Sequence, residues 1–168
     1  GIKSPIYCDN RLTLTAPKVR DKVEEGLAQI VRENYPQCQV LMGTSTAGIA
    51  HAAIVGYKLN LPMGYVRGSA KDHGRTNRIE GKLLPGQKVI ALREAGAEVL
   101  GVASIFTYGM KKGIERLKEN EVKNVSLCNL DELVKVAAES GYIKDTAKDG
   151  ILKFRDNPSD ESWMGGVK

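Results

Sequence analysis

The chain has 168 residues, 42% hydrophobic and 27% charged, with a net charge of +5; this suits one domain with a sizeable core and an ordinary globular composition. The mild positive excess fits a polyanionic small molecule. Basic residues are spread along the chain and aromatics make up only 5%, which argues against nucleic acid, and no apolar run approaches a membrane span.

In chain order, Ser4-Pro5 and Ile6 to Asp9 read as an extended segment and a polar turn. Thr15 is placed to cap a helix with Pro17 in its first turn. Val19, Val23, Leu27, Ile30 and Val31 recur at helical spacing and predict one buried face, ending at Tyr35-Pro36. Val40 to Met42 is a short apolar strand. A loop from Gly43 to Gly48 and a helix from about Ile49 to Leu59 follow, then a strand over Met63 to Arg67. Residues 68–78 are polar, charged and glycine-containing, which predicts a mobile loop. Lys82-Leu83-Leu84 and Lys88-Val89-Ile90 flank a Pro85-Gly86 turn. The remainder reads as a strand over Glu98 to Phe106, a polar helix over Lys111 to Asn120 and a strand over Val122 to Cys128. A helix capped by Asn129 follows, then a tail from Lys144 that is amphipathic and later polar, with Trp163 near its end.

Strands alternating with helices predict an α/β fold built on a largely parallel sheet, with ligands at the carboxyl ends of the strands. One junction breaks the rhythm. Ala91 to Gly96 reads as the end of a helix, yet it directly follows the strand ending at Ile90, and only seven residues separate two strand signals. A parallel crossover takes about a dozen residues or more. The chain therefore reads as cut between residues 90 and 91. It also begins with Gly rather than Met, so a segment before residue 1 is expected. Cys8, Cys38 and Cys128 are odd in number and lack metal-type spacing. They read as free thiols of a reducing cytosol, and no signal peptide is visible.

Two segments carry candidate chemistry. Gly43-Thr44-Ser45-Thr46-Ala47-Gly48 joins a strand to a helix, and its small residues leave backbone amides open to an anion at the helix start. It reads equally as an ordinary strand-to-helix turn, and no Walker lysine follows it. Arg67-Gly68-Ser69-Ala70-Lys71-Asp72-His73-Gly74-Arg75 holds three cations and a histidine in nine residues. It is either a solvated charged loop or one that folds over a diphosphate, with arginine as a bidentate clamp, lysine as a point charge and histidine as a proton donor. His51, among alanines on the helix after the glycine loop, reads as a core or surface histidine rather than a ligand.

Taken together, these segments resemble the orotate phosphoribosyltransferases of the type I phosphoribosyltransferase family. Gly1 to Arg11 resembles the base-site segment, and Gly43 to Ile49 the pyrophosphate loop. Tyr65-Val66-Arg67 with Lys71-Asp72-His73-Gly74 resembles the mobile catalytic loop, and Ile79-Glu80-Gly81 its return strand. Ala91 to Val102 resembles the helix and strand after the phosphate loop. The family's own ribose-phosphate signature, an acidic pair and a Thr-Gly-Gly type loop, has no match here. Its place is after Ile90, and some fifteen to twenty residues are missing there on the scale of a crossover helix and its loop. Gly68 and Ala47 stand where some members carry a basic residue.

The resemblance implies a single type I phosphoribosyltransferase domain over residues 1–168, with a mostly parallel sheet flanked by helices and a small, partly missing N-terminal hood. The implied reaction joins orotate to 5-phosphoribosyl 1-diphosphate (PRPP), giving orotidine 5′-monophosphate and pyrophosphate in pyrimidine biosynthesis. Mg²⁺ would be held mainly by substrate and water. Arg67, Lys71 and His73 would be the catalytic and pyrophosphate-binding side chains. Thr44, Ser45, Thr46, Ala47 and Gly48 would cradle the diphosphate. Tyr7, Cys8, Tyr108 and Lys3 would serve orotate. A cytoplasmic homodimer with shared sites is implied, without nucleic acid or membrane. The alternatives are a phosphoribosyltransferase for another base, or a non-catalytic relative if the gap after Ile90 is real.

Overall fold

The computed structural model describes residues 3–67, 78–90 and 98–166. These residues form two compact units: 10–67, 78–90 and 98–105 with 121–127, and 3–9 with 106–120 and 128–166.

The first unit opens with a 3₁₀ turn, Asn10–Thr15, and helix α1, Pro17–Asn34. Thr15 does not cap α1. Its hydroxyl donates to the Leu12 carbonyl, which closes the 3₁₀ turn, and Ala16 takes the cap position without a side-chain bond. Pro17 starts the helix, where a missing amide hydrogen costs nothing. Leu27, Ile30 and Val31 are buried and Val23 packs against them, but Val19 is 47% exposed, because the buried stripe begins a turn later. Strand β1, Val40–Thr44, leads into helix α2, Ala47–Leu59, which begins two residues earlier than its apolar pattern predicts. Strand β2, Met63–Val66, pairs antiparallel with β3, Ile79–Glu80. Strands β4, Lys88–Ile90, and β5, Glu98–Thr107, follow, then β6, Lys123–Asn129. Residues 82–84 form no strand, and the Pro85-Gly86 turn holds Gly86 at φ +79°, a conformation glycine adopts freely.

The strand order is β3-β2-β1-β4-β5-β6, with β2, β1, β4 and β5 mutually parallel. Side chains alternate between two faces. On one face Leu41 and Ile90 meet Leu27, Val31 and Val55 from α1 and α2. On the other, Val40, Met42, Val66 and Val89 cluster with Ile79, Leu83 and Val99, and no described helix contributes to that cluster. The Tyr35 hydroxyl, at the end of α1, donates toward the carbonyls of Val102 (3.1 Å) and Lys123 (2.9 Å). Gly101 makes room for it, since a Cβ there would lie 2.5 Å from the Tyr35 ring and from the Lys123 carbonyl.

In the second unit, helix α3, Lys111–Glu119, has no buried side chain and leaves Ile114 56% exposed. Helix α4, Leu130–Glu139, is capped by Asn129, whose side chain accepts the Glu132 amide at 2.9 Å, and Asp131 and Glu132 favour its positive end. Helix α5, Asp145–Asp156, is tied to α4 by Arg155, 2.5 Å from Asp131. Leu130, Val134 and Ile151 form the core, with Ile6, Phe106 and Tyr108 packed on it. Trp163 is buried edge-on against Phe154, with ring centroids 5.8 Å apart, so the polar tail carries an anchor.

Candidate active site

The glycine loop lies at the carboxyl end of β1, where an open α/β sheet binds its ligands. Gly43 and Gly48 bring β1 and the start of α2 into backbone contact. A Cβ on Gly43 would stand 2.7 Å from the Gly48 carbonyl, and one on Gly48 would stand 2.8 Å from the Thr44 hydroxyl. The Ser45 amide donates to the Val66 carbonyl at 2.8 Å, fastening the loop to the end of β2, and the Ser45–Thr46 peptide is cis. Helix α2 begins without a side-chain cap and without an acidic residue in its first turn. Its leading amides have no intrahelical acceptor, so the helix start offers donors and a positive dipole end to an anion. Among the predicted loop donors, the Ser45 amide is engaged within the protein, and those at Ala47 and Gly48 open the helix.

Arg67 follows β2 directly. Its amide donates to the Arg78 carbonyl at 2.8 Å, and its guanidinium is 3.0 Å from the Glu80 carboxylate. One N–H of five is thus engaged with Glu80, and a guanidinium can hold a carboxylate while presenting its other edge to a phosphate. Lys71 and His73 lie outside the described residues. Behind the loop, within the same unit, is a cavity of about 270 Å³ lined by Gly43, Thr44, Ala47, Gly48 and His51 and closed by α1 and β5. His51 and its partner Glu24 are buried. The structure makes the histidine a core residue, where the sequence had left core and surface both open. Glu24 escapes the sequence pattern because a glutamate is almost never fully buried unless paired.

The residues assigned to the base all belong to the other unit, where only Cys8 and Tyr108 are seen to meet among the described residues. The Cys8 amide donates to the Tyr108 hydroxyl at 3.3 Å, and the Tyr108 ring meets Phe106 edge-on at 4.9 Å. Burial, then Cys128 and Asp9, pushes the Cys8 thiol up from its ordinary value, so it stays protonated. Tyr7 is 78% exposed, and Lys3 is 3.5 Å from Glu161. Among the described residues, no cluster of three or more His, Cys, Asp or Glu could hold a metal ion, and no helix is long and apolar enough to cross a membrane.

No family model matches the chain. Solved structures share its fold. A UMP synthase from Leishmania donovani superposes with TM-score 0.75 at 22% identity, over 90% of this chain and 36% of that one. The orotate phosphoribosyltransferase of Aeropyrum pernix gives 0.64 at 23%, over 81% and 84%. An adenine phosphoribosyltransferase from Leishmania tarentolae gives 0.58 at 15%, over 74% and 77%. The mostly parallel six-stranded sheet flanked by helices is a type I phosphoribosyltransferase fold.

The sequence narrows this further. The chain is 48% identical over 181 residues to the orotate phosphoribosyltransferase of Bacillus cereus (strain G9842), covering 98% of this chain and 86% of that protein, with the same figures for the one from Bacillus cytotoxicus. It belongs to the orotate phosphoribosyltransferase family.

Proposed function

We infer that the chain transfers the 5-phosphoribosyl group of 5-phosphoribosyl 1-diphosphate to orotate, giving orotidine 5′-monophosphate and pyrophosphate in pyrimidine biosynthesis. The observation that carries this is the 48% identity to orotate phosphoribosyltransferases over 98% of the chain. In the reaction the C1–O bond of the donor breaks and its electron pair leaves on the diphosphate. A ring nitrogen of orotate forms the new bond to C1. The ribose is positively charged and the leaving group negatively charged at the transition state, so catalysis is mainly electrostatic stabilisation of the diphosphate.

The α2 amides and the Thr44 and Thr46 hydroxyls take the diphosphate in this reading, with Arg67 beside them. Lys71 neutralises the oxygen that develops charge, and His73 hydrogen-bonds or protonates the leaving group. These assignments rest on the resemblance of the loop and on the geometry of α2 and Arg67. Closure of the segment carrying Lys71 would keep water from the ribosyl cation. Tyr108 and the Cys8 backbone, already joined by a hydrogen bond, serve the base together with Tyr7 and Lys3. Mg²⁺, when bound, would neutralise diphosphate charge. It is assigned mainly to substrate oxygens and water, as that small hard cation prefers, and no step depends on it. A cytoplasmic homodimer with shared sites is part of the proposal, in keeping with the free cysteines. Sedimentation giving twice the chain mass supports the dimer, and a single-chain mass sinks it.

We further propose that the natural polypeptide carries a crossover between Ile90 and Ala91. Strands β4 and β5 are parallel neighbours joined by only seven residues. The step from β1 to β2 and the step from β4 to β5 run in opposite directions across the sheet. Right-handed crossovers must therefore lie on opposite faces. Helix α2 occupies the Leu41 face, so the second crossover belongs on the Val40, Met42 and Val89 face, which no described helix covers. The 181 positions matched by 98% of this chain leave about sixteen positions in the relatives with no counterpart here, close to the dozen or more such a connection takes. Ala91 itself lies outside the described residues. An intact mass well above 18.3 kDa would support this, and a mass at that value would support a non-catalytic relative.

The test of function is base selectivity. Incubated with the diphosphate donor, Mg²⁺ and orotate, adenine or uracil in turn, the protein is expected to consume orotate alone. Turnover of adenine or uracil in its place would overturn the assignment.

A further inference from the structure

A buried ionisable pair lies next to the anion loop and takes no part in the chemistry above. Glu24 on α1 is fully buried and His51 on α2 is 6% exposed. His51 Nδ1 is 2.5 Å from Glu24 Oε1, while Glu24 Oε2 and His51 Nε2 have no hydrogen-bond partner among the described residues. Whichever group holds the proton, one hydrogen bond joins the two helices.

Stability does not account for this pair. Burying two ionisable groups is costly even when they are paired. Apolar residues of similar volume often do as well or better in such places. What a short, directional bond supplies is geometry: it fixes one helix in rotation and height against the other. Around His51 most of α2 is small (Ala47, Gly48, Ala50, Ala52 and Ala53), and the buried side chain that packs it into the cluster of Leu27 and Val31 is Val55, a full turn further from the loop. No side-chain cap holds its first turn either. On its inner side that turn rests on β1 through Gly43 and Gly48. On its outer side, one turn on, the Glu24–His51 bond ties it to α1. The His51 side chain makes no other hydrogen bond among the described residues, and it borders the cavity behind the loop.

We propose that Glu24 and His51 are positioning residues that set the height and rotation of the α2 start, and so aim its free amides at the diphosphate. This rests on the function proposed above and adds two residues that touch no substrate. The test is calorimetric titration with inorganic pyrophosphate in magnesium buffer. His51→Asn puts an amide nitrogen where Nδ1 stands, whereas His51→Gln puts one where Nε2 stands. The Asn variant is expected to bind like the wild type. The Gln variant, and Glu24→Leu/His51→Leu with an unchanged thermal midpoint, should each bind about tenfold more weakly. If the wild type does not bind pyrophosphate, the functional reading fails. If it binds and all variants match it, or Asn rescues no better than Gln, the positioning role is refuted.

Discussion

In the proposed function Lys71 neutralises the oxygen that develops charge, and substitution at that position tests the role. Lys71→Ala is expected to lower turnover by about 10²-fold or more, as loss of one preorganised donor does, with the thermal midpoint unmoved. Wild-type turnover in that variant would remove the assigned role. Gly43 tests the loop from the other side. Gly43→Ala places a methyl 2.7 Å from the Gly48 carbonyl and 2.9 Å from the Ile49 Cα, both backbone atoms that cannot swing aside. Pyrophosphate affinity should fall, and urea unfolding should register about 1–3 kcal/mol of lost stability. Sequence exposed these residues because the loop chemistry is local: small residues after a strand, cations close together. Glu24 and His51 are 27 positions apart on different helices, so their pairing becomes visible only once α1 and α2 are packed.

At the scale of elements, the sequence pattern placed α1 to α4 and every described strand but the shortest, while α5 was read only as an amphipathic tail and the ends depended on details the pattern does not carry. Asn129 caps α4 as its position suggests. Thr15 turns its hydroxyl back into a 3₁₀ turn, an alternative that threonine always offers the backbone. The two-residue strand β3 came from the family resemblance, having no periodicity of its own. Tyr35 shows how one side chain joins elements that are distant in sequence. Tyr35→Phe leaves the Val102 and Lys123 carbonyls short of a donor and should cost about 1–3 kcal/mol in urea unfolding, with m unchanged. No loss would mean that the strands hold those carbonyls without it.

For the whole molecule, burial leaves a signature in pH. It pushes the Cys38 and Cys8 thiols and the Tyr35 hydroxyl above their ordinary values of 9.0 and 10.0. A raised native value means the folded state holds its proton more tightly than the unfolded chain does. That stabilisation is complete below the unfolded value and is lost as pH rises through the folded one. Unfolding free energy should therefore decline above about pH 9, with a shallower decline in Tyr35→Phe; a flat alkaline profile would contradict the burial. The α/β architecture was legible because strands and helices alternate, and the strand order shows where the sequence interval after Ile90 falls short of a crossover. The protein is a transferase, and pyrophosphate is expected to depart only as the base arrives. Following donor, product and pyrophosphate together by phosphorus NMR tests this most directly. Orotidine 5′-monophosphate and pyrophosphate rising one-for-one, and only with orotate present, is the predicted result. Pyrophosphate release without orotate, or orotate left unconsumed beside intact donor, would contradict it.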